Sequence, residues 1–409
     1  AYLAALRVHI PCIVVTGGIM AAGSYCGKAL VQADIDVAAI RGDKEMLDIV
    51  QEHVCPSFGA CPSMGTACTM QILGEALNLV LPGTATIPAA DNLKLRSCID
   101  AGRFIVENVK KGICPEDIIT KEVLLNTAML DMAMAGSTNA VLHILAYSYE
   151  LGLGLKIDDF DDIAQKIKCL VGVIPSGRYT VVDFYNAGGV PAVMKRLESE
   201  LYTSEKTLLG ISWGEYLKEI QVPEDSIIHT LDKPYQDIAG MRILKGNIAM
   251  DGAVVRPTGV PENMREFRGK ARVFDKEEDA AAAVMRDEIK EGEIIVLRYE
   301  GPQGSPGMNE LMKVTDSLIA KHMEEKVALI SDGRFSGFNH GTIIGHAAPE
   351  AMAGGLIAFV EDGDIIEYNI SEGRIELMVS DEVLEERKKH WNKPEPKVKS
   401  GVLAIYGAT

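Results

Sequence analysis

The feature of this sequence that most constrains its fold is a series of short β-type apolar runs confined to the chain beyond Gly240. Two segments with helical periodicity, 277–291 and 309–325, interrupt the series. Short strands mixed with helices are typical of a mixed α/β domain with a strand-rich core. The predicted strands cover 253–256, 271–274, 293–299, 327–330, 356–360, 364–368 and 374–379.

The N-terminal part of the chain has longer helical patterns. Apolar residues recur at helical spacing over 66–81, and 119–155 is predicted to be largely helical with a break at Ala135-Gly136. The apolar run 10–16 is followed by Gly17-Gly18, a pattern that predicts a buried strand at the start of an α/β layer.

Proline, aspartate and lysine crowd the segment 223–236, which predicts a domain boundary. We therefore expect an α/β protein of two domains. The first is an N-terminal layered α/β domain over 1–230, and the second is a C-terminal strand-rich, barrel-like mixed α/β domain over 231–409. A chain of 409 residues, 47% of them apolar, is long enough to build both cores.

The charge balance excludes some classes of partner. Lys and Arg total 41 against 58 for Asp and Glu, so a net charge of -17 provides no long-range attraction to nucleic acid or anionic lipid. The long uncharged stretches 10–27, 54–74 and 132–149 are broken by Gly, Ser, Thr or Asn, so we expect no membrane span. No secretory signal pattern is visible, and we expect a cytoplasmic protein.

The eight cysteines all lie within the first 169 residues. Such a large acidic chain is expected to keep its thiols reduced, and buried apolar thiols are the simplest interpretation of most of them. Cys61 is the best placed for chemistry, because it precedes the predicted helix 66–81 and the positive end of a helix favours a thiolate that can bind metal. The spacing forms no CxxC pair, so a free buried thiol remains the competing explanation.

A second candidate is Glu310, which follows a Gly/Pro-rich loop at the predicted start of a helix. A carboxylate there can offer oxygen ligands to Mg²⁺. It can equally be a residue that merely favours the helix dipole.

A third candidate is Ser336, where a predicted strand runs into a tight turn, the place where open α/β sheets bind ligands. The sequence Gly333-Arg-Phe-Ser336-Gly337 is not G-x-S-x-G, so a hydrolase nucleophile elbow is unsupported. His340 and His346 are close in sequence, but their spacing establishes no triad. Ser336 can also be a simple turn residue, and a serine hydrolase would be revealed by labelling with an active-site serine reagent.

Taken together, several ordered motifs are similar to those of one enzyme family. The chain resembles the dihydroxy-acid dehydratases, sugar-acid dehydratases and 6-phosphogluconate dehydratase over essentially its whole length. The motifs that carry the resemblance are Cys61-x-x-Met-Gly-Thr-Ala, Ala135-Gly-Ser-Thr-Asn-Ala140, Ala187-Gly-Gly-Val-Pro-Ala-Val-Met194, Arg298-Tyr-Glu-Gly-Pro, Pro306-Gly-Met308, Asp332-Gly-Arg-Phe-Ser-Gly337, Gly345-His-x-x-Pro-Glu350 and Val360-Glu-Asp-Gly-Asp364.

The resemblance implies a hydro-lyase that dehydrates a 2,3-dihydroxy acid to a 2-keto acid, using an iron–sulfur cluster, expected to be of the 2Fe-2S type, and Mg²⁺. It implies that Cys61 is a cluster ligand, that Glu310 binds Mg²⁺ and that Ser336 removes the proton from C2. It also places three consecutive residues along the active-site cleft: Ser137, Thr138 and Asn139. We further expect the site to lie between the two domains, and the protein to form a homodimer or tetramer.

The chain departs from the family pattern at its ends. Family members carry a further N-terminal segment that supplies two cluster cysteines, the remaining Mg²⁺ carboxylates and a modified lysine, and Cys55 and Cys68 do not match those ligands. The ending 404–409 is also shorter than the usual tail. We therefore expect the chain to omit parts of the natural protein and to be inactive alone. Phe338 replaces a glycine common at that position, which would alter the substrate pocket.

The substrate hints conflict. Met64-Gly65-Thr66 favours sugar acids, whereas Gly401-Val-Leu-Ala favours the enzyme of branched-chain amino-acid biosynthesis. We place dihydroxy-acid dehydratase first and a pentonate or hexonate dehydratase second. A hypothesis of another class is a non-catalytic remnant that keeps the fold without the cluster.

Overall fold

The computed structural model describes residues 1–337 and 340–407. Phe338, with the change predicted for the substrate pocket, lies outside the described residues. The chain divides into two compact units. The first unit contains residues 1–35 and 44–240, and the second contains residues 36–43 and 241–409.

The first unit is built mainly from helices. Its strands β1 (Gly23–Tyr25) and β2 (Lys28–Leu30) form a small antiparallel hairpin. Its helices are α1 (Tyr2–Arg7), α2 (Ala33–Arg41), which continues into the second unit, α3 (Lys44–His53), α4 (Thr66–Ala76), α5 (Asn92–Lys111), α6 (Pro115–Ile118), α7 (Lys121–Met134), α8 (Asn139–Leu151), α9 (Ile157–Ala164), α10 (Val181–Asn186), α11 (Gly189–Arg196) and α12 (Trp213–Leu217).

The helices α7 and α8 confirm the prediction for 119–155 and explain its break. Thr120 caps α7 by accepting a hydrogen bond from the Val123 amide (3.1 Å). The helix ends because Ala135 adopts a left-handed backbone conformation with a φ of 48°. Helix α7 is buried on nearly all sides, so it forms the centre of the first core.

Two predictions for the first unit need correction. The predicted strand over 10–16 does not form: the segment has no regular secondary structure and is mostly half-exposed, with the Val14 amide bonded to the Leu79 carbonyl (2.7 Å). Helix α4 is confirmed, but it ends at Ala76 rather than at residue 81. The chain turns there because Asn78 takes a left-handed conformation with a φ of 58°.

Within the described residues, the second unit contains a closed barrel of eight strands. This confirms the mixed α/β class and the barrel-like C-terminal part. The strands of this unit are β3 (Arg242–Gly246), β4 (Ala249–Val255), β5 (Glu266–Phe274), β6 (Glu293–Leu297), β7 (Glu310–Leu311), β8 (Ala328–Ser331), β9 (Arg334–Phe335), β10 (Ile343–Ala348), β11 (Ile365–Asn369) and β12 (Arg374–Leu377). The barrel strands are hydrogen-bonded in the order β10-β4-β3-β12-β11-β5-β6-β8. The helices of this unit are α13 (Glu277–Met285), α14 (Lys313–Ala320), α15 (Asp381–His390) and α16 (Ala404–Gly407).

Strand β6 shows why its sequence is a continuous apolar run. Ile294 and Val296 belong to the core that includes the barrel strands, whereas Ile295 and Leu297 belong to the core that includes α13 and α14. Successive side chains of a strand point to opposite faces, so a strand covered on both faces is apolar throughout. Strands β6 and β8 are parallel neighbours, and their carboxyl ends therefore meet at one edge of the barrel.

Two elements of the second unit differ from prediction. The segment Leu356–Phe359 is a 3₁₀ helix rather than a strand. Glu310 lies in strand β7, not at a helix start, since α14 begins at Lys313. The physical reason is that Glu310 and Leu311 pair with β9 before the chain enters the helix.

The cysteines and helices allow two further comparisons with expectation. Each of the eight cysteines lies within the described residues and is a free thiol, as expected. The expectation that most are buried is wrong, because Cys68 and Cys169 are buried and the others are half-buried or exposed. In the part of the chain that the structure describes, no helix combines the length and apolarity needed to cross a membrane.

Candidate active site

Cys61 lies in the loop that precedes α4, and this helix begins at Thr66 as the sequence pattern predicts. Its sulfur is half-buried and lies 3.2 Å from the Ser63 hydroxyl oxygen. Cys68, in the first turn of α4, is buried and donates its thiol hydrogen to the Cys61 carbonyl (2.8 Å). Burial raises the pKa of the Cys68 thiol, so Cys61 is the more accessible sulfur of this pair.

The three polar residues between α7 and α8 are tied to the first turn of α4. The hydroxyl oxygens of Thr66 and Ser137 are 3.0 Å apart, and the Asn139 side-chain amide donates to the Thr66 hydroxyl (2.9 Å). The Ser137 backbone amide donates to the Thr69 hydroxyl (3.0 Å). Ser137 and Asn139 are buried, whereas Thr138 is half-exposed. The Cys61 loop and the predicted cleft residues therefore meet around one helix.

A buried carboxyl group of α7 lies beside the loop that contains Gly136. Asp131 is fully buried, and neither carboxyl oxygen has a hydrogen-bond partner among the described residues. Burial raises the pKa of Asp131 well above its ordinary range, because a charged carboxylate is disfavoured away from water. A Cβ on Gly136 would lie 1.9 Å from Asp131 Oδ1, and only glycine allows the loop to pass this close.

The second unit brings Glu310 and Ser336 together on a small parallel sheet. Strand β7 pairs with β9, with Glu310 opposite Arg334 and Leu311 opposite Phe335. The Ser336 amide continues this pairing by donating to the Leu311 carbonyl (3.4 Å). Because strand side chains alternate, Glu310, Arg334 and Ser336 share one face, while Leu311 and Phe335 face the α13–α14 core.

Two arginines hold the backbone beside these residues. Arg334 Nε donates to the Met308 carbonyl (2.5 Å), and its guanidinium lies 3.6 Å from a carboxylate oxygen of Glu310. Arg256 is buried and donates to the Gly337 carbonyl (2.5 Å). The position of the Ser336 turn is thus set from both sides.

Asp332 joins the loops that follow β6 and β8. It accepts hydrogen bonds from the backbone amides of Tyr299 (3.1 Å), Glu300 (2.9 Å) and Ala351 (2.9 Å). Burial raises the pKa of Asp332 to about 6, and the three amides act in the opposite direction. Gly333 is required next to it, since a Cβ there would lie 2.7 Å from the Glu300 Cβ.

A cavity of about 730 Å³ in the second unit does not contain the candidate residues. Arg298 and Arg387 line it, but the guanidinium of the first is paired with Asp275 (2.5 Å) and that of the second with Asp364 (2.5 Å). Both guanidinium groups are thus already paired with carboxylates, and the β7–β9 face, which carries Glu310, is the stronger candidate.

The described side chains can supply some, but not all, of the ligands that an iron–sulfur cluster and Mg²⁺ would need. Cys61 offers a sulfur that can bind iron, and Glu310 offers the hard oxygen that Mg²⁺ prefers. Among residues 1–337 and 340–407, no three His, Cys, Asp or Glu side chains gather as a metal site. Each of the two residues can thus be one ligand within a larger set.

The structure brings the predicted residues together as two separate groups. Ser137, Thr138 and Asn139 join the Cys61 loop through α4 in the first unit, and Glu310 joins Ser336 in the second. Sequence reasoning missed Arg256, whose position at the end of β4 carries no local signal of function. It also gave no role to Arg334 and Asp332, although both belong to the motif that contains Ser336.

Comparisons with known proteins cover the whole chain. The N-terminal and C-terminal sequence models described as dihydroxy-acid/6-phosphogluconate dehydratase match residues 1–216 and 226–409. Relatives named dihydroxy-acid dehydratase include those of Caldanaerobacter subterraneus subsp. tengcongensis and Thermodesulfovibrio yellowstonii, both 43% identical, and of Ignicoccus hospitalis, 41% identical. Each match covers 99% of this chain and 74% of the relative.

Proposed function

This chain belongs to the dihydroxy-acid/6-phosphogluconate dehydratase family and is a hydro-lyase, and we propose that it converts a 2,3-dihydroxy acid into a 2-keto acid. The observation that carries the proposal is the small sheet of β7 and β9, which carries Glu310 and is followed at once by Ser336, whose amide donates to the Leu311 carbonyl. A metal-binding carboxylate next to a proton acceptor suits a substrate that must be held by its oxygens while it loses a proton from carbon.

We assign the proton transfer to Ser336. Its oxygen removes the proton from C2, the hydroxyl leaves C3 with the bonding electrons, and the resulting enol tautomerises to the keto acid. A neutral serine hydroxyl is far too weak a base for this step, so the group must react as an alkoxide stabilised by nearby positive charge. Arg334 and Arg256 hold the backbone at this position and keep the oxygen in place.

We assign Glu310 as a Mg²⁺ ligand and Cys61 as an iron–sulfur ligand. Glu310 would hold Mg²⁺ and Cys61 would hold an iron of the cluster, and these groups would supply Lewis-acid chemistry toward the oxygens of the substrate. The half-exposed Thr138 is the member of its triplet best placed to contact substrate, while Ser137 and Asn139 keep the loop in position.

The substrate we propose is the dihydroxy acid of branched-chain amino-acid biosynthesis. The names of the relatives support this choice over a sugar acid. Homodimer or tetramer formation stays a prediction, which the mass of the purified protein in solution can test.

The test of the function is an assay of the complete gene product purified without oxygen. Iron and acid-labile sulfide are measured together with keto-acid formation from 2,3-dihydroxyisovalerate and from a pentonate. We expect a cluster and turnover of 2,3-dihydroxyisovalerate. Turnover of the pentonate alone would move the protein to the sugar-acid dehydratases, and a folded protein with neither cluster nor turnover would contradict the proposal.

The residue roles are tested by two substitutions with opposite expected signatures. Ser336→Ala should lower kcat by about 10³-fold, in the range of a lost general base, while the cluster spectrum stays intact. Cys61→Ser should abolish the cluster spectrum. The controls are Ser371→Ala and Cys55→Ser, two exposed residues that should leave both properties unchanged. The reversed pairing of spectrum and turnover would refute the assignments.

A further inference from the structure

The C-terminal tail after α15 lies along the loop 299–308 of the second unit. Near the start of the tail, the Trp391 indole nitrogen donates to the Tyr299 hydroxyl (3.0 Å). Near its end, the Leu403 side chain lies beside Gly307: a Cβ added to this glycine would be 3.1 Å from Leu403 Cδ2. The tail therefore touches the loop at both of its ends.

An ion pair occupies the middle of this contact. Lys397 Nζ lies 2.6 Å from a carboxylate oxygen of Glu300. The Glu300 side chain is only 9% exposed, and that of Lys397 is 32% exposed. A carboxylate this deeply buried needs a partner of opposite charge, because removal of the partner leaves an uncompensated charge away from water.

Glu300 is linked to the proposed site by a hydrogen bond and a packing contact. Its amide donates to Asp332 (2.9 Å), and its Cβ packs against Gly333, just before β9. At the other end of the loop, the Met308 carbonyl accepts from Arg334, which also lies beside Glu310. A shift of Glu300 would therefore displace the strands that carry Glu310 and Ser336.

We propose that Lys397 is a positioning residue, which holds the loop 299–308 through Glu300 and thereby keeps Glu310 in a geometry that binds Mg²⁺. This inference rests on the proposed function of Glu310 as a Mg²⁺ ligand. Lys397 acts through Glu300 and touches no reacting atom. The tail contributes to the site by charge neutralisation of a buried group, not by a ligand of its own.

The experiment uses the complete gene product with Lys397→Met, Lys397→Arg and the control Lys399→Met. Lys399 lies in the same tail and pairs with Glu395 (3.5 Å), but both side chains are well exposed, at 69% and 83%. Amide hydrogen exchange of 300–308 is measured by mass spectrometry, and Mg²⁺ affinity is measured by calorimetry. For Lys397→Met we expect exchange of the loop to accelerate and the Mg²⁺ dissociation constant to rise about tenfold, as for other residues that orient a metal ligand.

Lys397→Arg should restore both properties, and Lys399→Met should change neither. Equal loop exchange in Lys397→Met and Lys399→Met overturns the inference, and so does faster exchange without weaker Mg²⁺ binding in a protein whose wild type binds Mg²⁺. A wild type that binds no Mg²⁺ and turns over no dihydroxy acid refutes the proposed function instead, and the loop exchange still decides whether Lys397 holds the loop. If Lys397→Met does not fold, the double variant Glu300→Gln/Lys397→Met removes both charges and is expected to fold. This double variant should show the same weakened Mg²⁺ binding. Unchanged loop exchange and unchanged Mg²⁺ binding in the double variant would overturn the inference.

Discussion

The two units hold their candidate residues by different forces. In the first unit, Ser137 and Asn139 are fixed by hydroxyl and amide groups around Thr66, next to a buried acid whose pKa is raised by burial. In the second unit, the groups beside Glu310 and Ser336 are arginines, carboxylates and backbone carbonyls. The first arrangement depends on close packing of neutral groups, and the second depends on charge balance.

This difference predicts which substitutions should disturb each unit. A neutral hydrogen-bond network between closely packed helices is destabilised by added volume, because the surrounding side chains leave no room for a larger group. Loss of a single partner also destabilises it, because a buried donor or acceptor is left unpaired. A charged network beside loops is sensitive to removal of one partner of a pair and less to added volume. The four predictions below test this contrast.

The largest effect is expected for Gly136→Ala in the first unit. The new methyl group would lie 1.9 Å from Asp131 Oδ1, so the loop or α7 must move, and the free energy of unfolding should fall by about 3 kcal/mol. The control is Gly102→Ala, a glycine in α5 whose added Cβ meets nothing within 4 Å. Denaturant unfolding measures both, and equal stability of the two variants would show that the first network is looser than we describe.

The next effect is expected for Arg256→Met in the second unit. Loss of the guanidinium frees the Gly337 carbonyl and shifts the Ser336 oxygen, so kcat should fall by about 10²-fold. The cluster spectrum should stay unchanged, since Cys61 is not involved. Arg268→Met removes an arginine that is 62% exposed and should retain full activity. Normal kcat in Arg256→Met would mean that charge does not position this turn.

A pH dependence of stability is expected from Glu75, a fully buried acid of α4 in the first unit. It accepts hydrogen bonds from the amides of Gly83 (2.6 Å) and Ala85 (2.7 Å), but burial raises its pKa to about 7. A raised pKa means that the folded state keeps a proton that the unfolded state releases. The contribution of protonated Glu75 to the free energy of unfolding is therefore complete below about pH 4.5. This contribution is lost as the pH rises to 7, and the free energy of unfolding falls by about 3 kcal/mol.

Unfolding of the wild type and of Glu75→Gln should be compared from pH 4.5 to 8. The variant loses a hydrogen-bond acceptor, so its stability is lower at acid pH, and the difference between the two proteins should shrink as the pH rises. Glu107→Gln, on the exposed face of α5, should follow the wild-type curve. A constant difference for Glu75→Gln would show that Glu75 is already charged in the folded protein.

The smallest effect is expected for Thr66→Val. The hydroxyl group that meets both Ser137 and Asn139 is lost, and the free energy of unfolding should fall by about 1–2 kcal/mol. Thr127→Val is the matched control, because its buried hydroxyl donates within its own helix to the Val123 carbonyl (2.8 Å). A smaller loss for Thr66→Val than for Thr127→Val would remove Thr66 from the centre of the network.

Much of the fold could be predicted from local patterns, and the errors have physical causes. Helices α7 and α8 follow from helical periodicity, and most barrel strands follow from short apolar runs, because burial of one or two faces imposes these patterns. The run 10–16 has the composition of a strand, yet a strand forms only where a partner pairs with it, and local sequence does not specify the partner. Glu310 has the setting of a helix start, but pairing of β7 with β9 decides its conformation.

The same distinction applies to the candidate site. The family, the mixed α/β class and the motifs that contain Cys61, Ser137, Glu310 and Ser336 can be predicted from residue order along the chain. Folding is needed to bring Arg256 to Gly337, Lys397 to Glu300 and Glu310 to Arg334. These contacts join residues far apart in sequence, and their energies come from burial and pairing that exist only after the chain has folded.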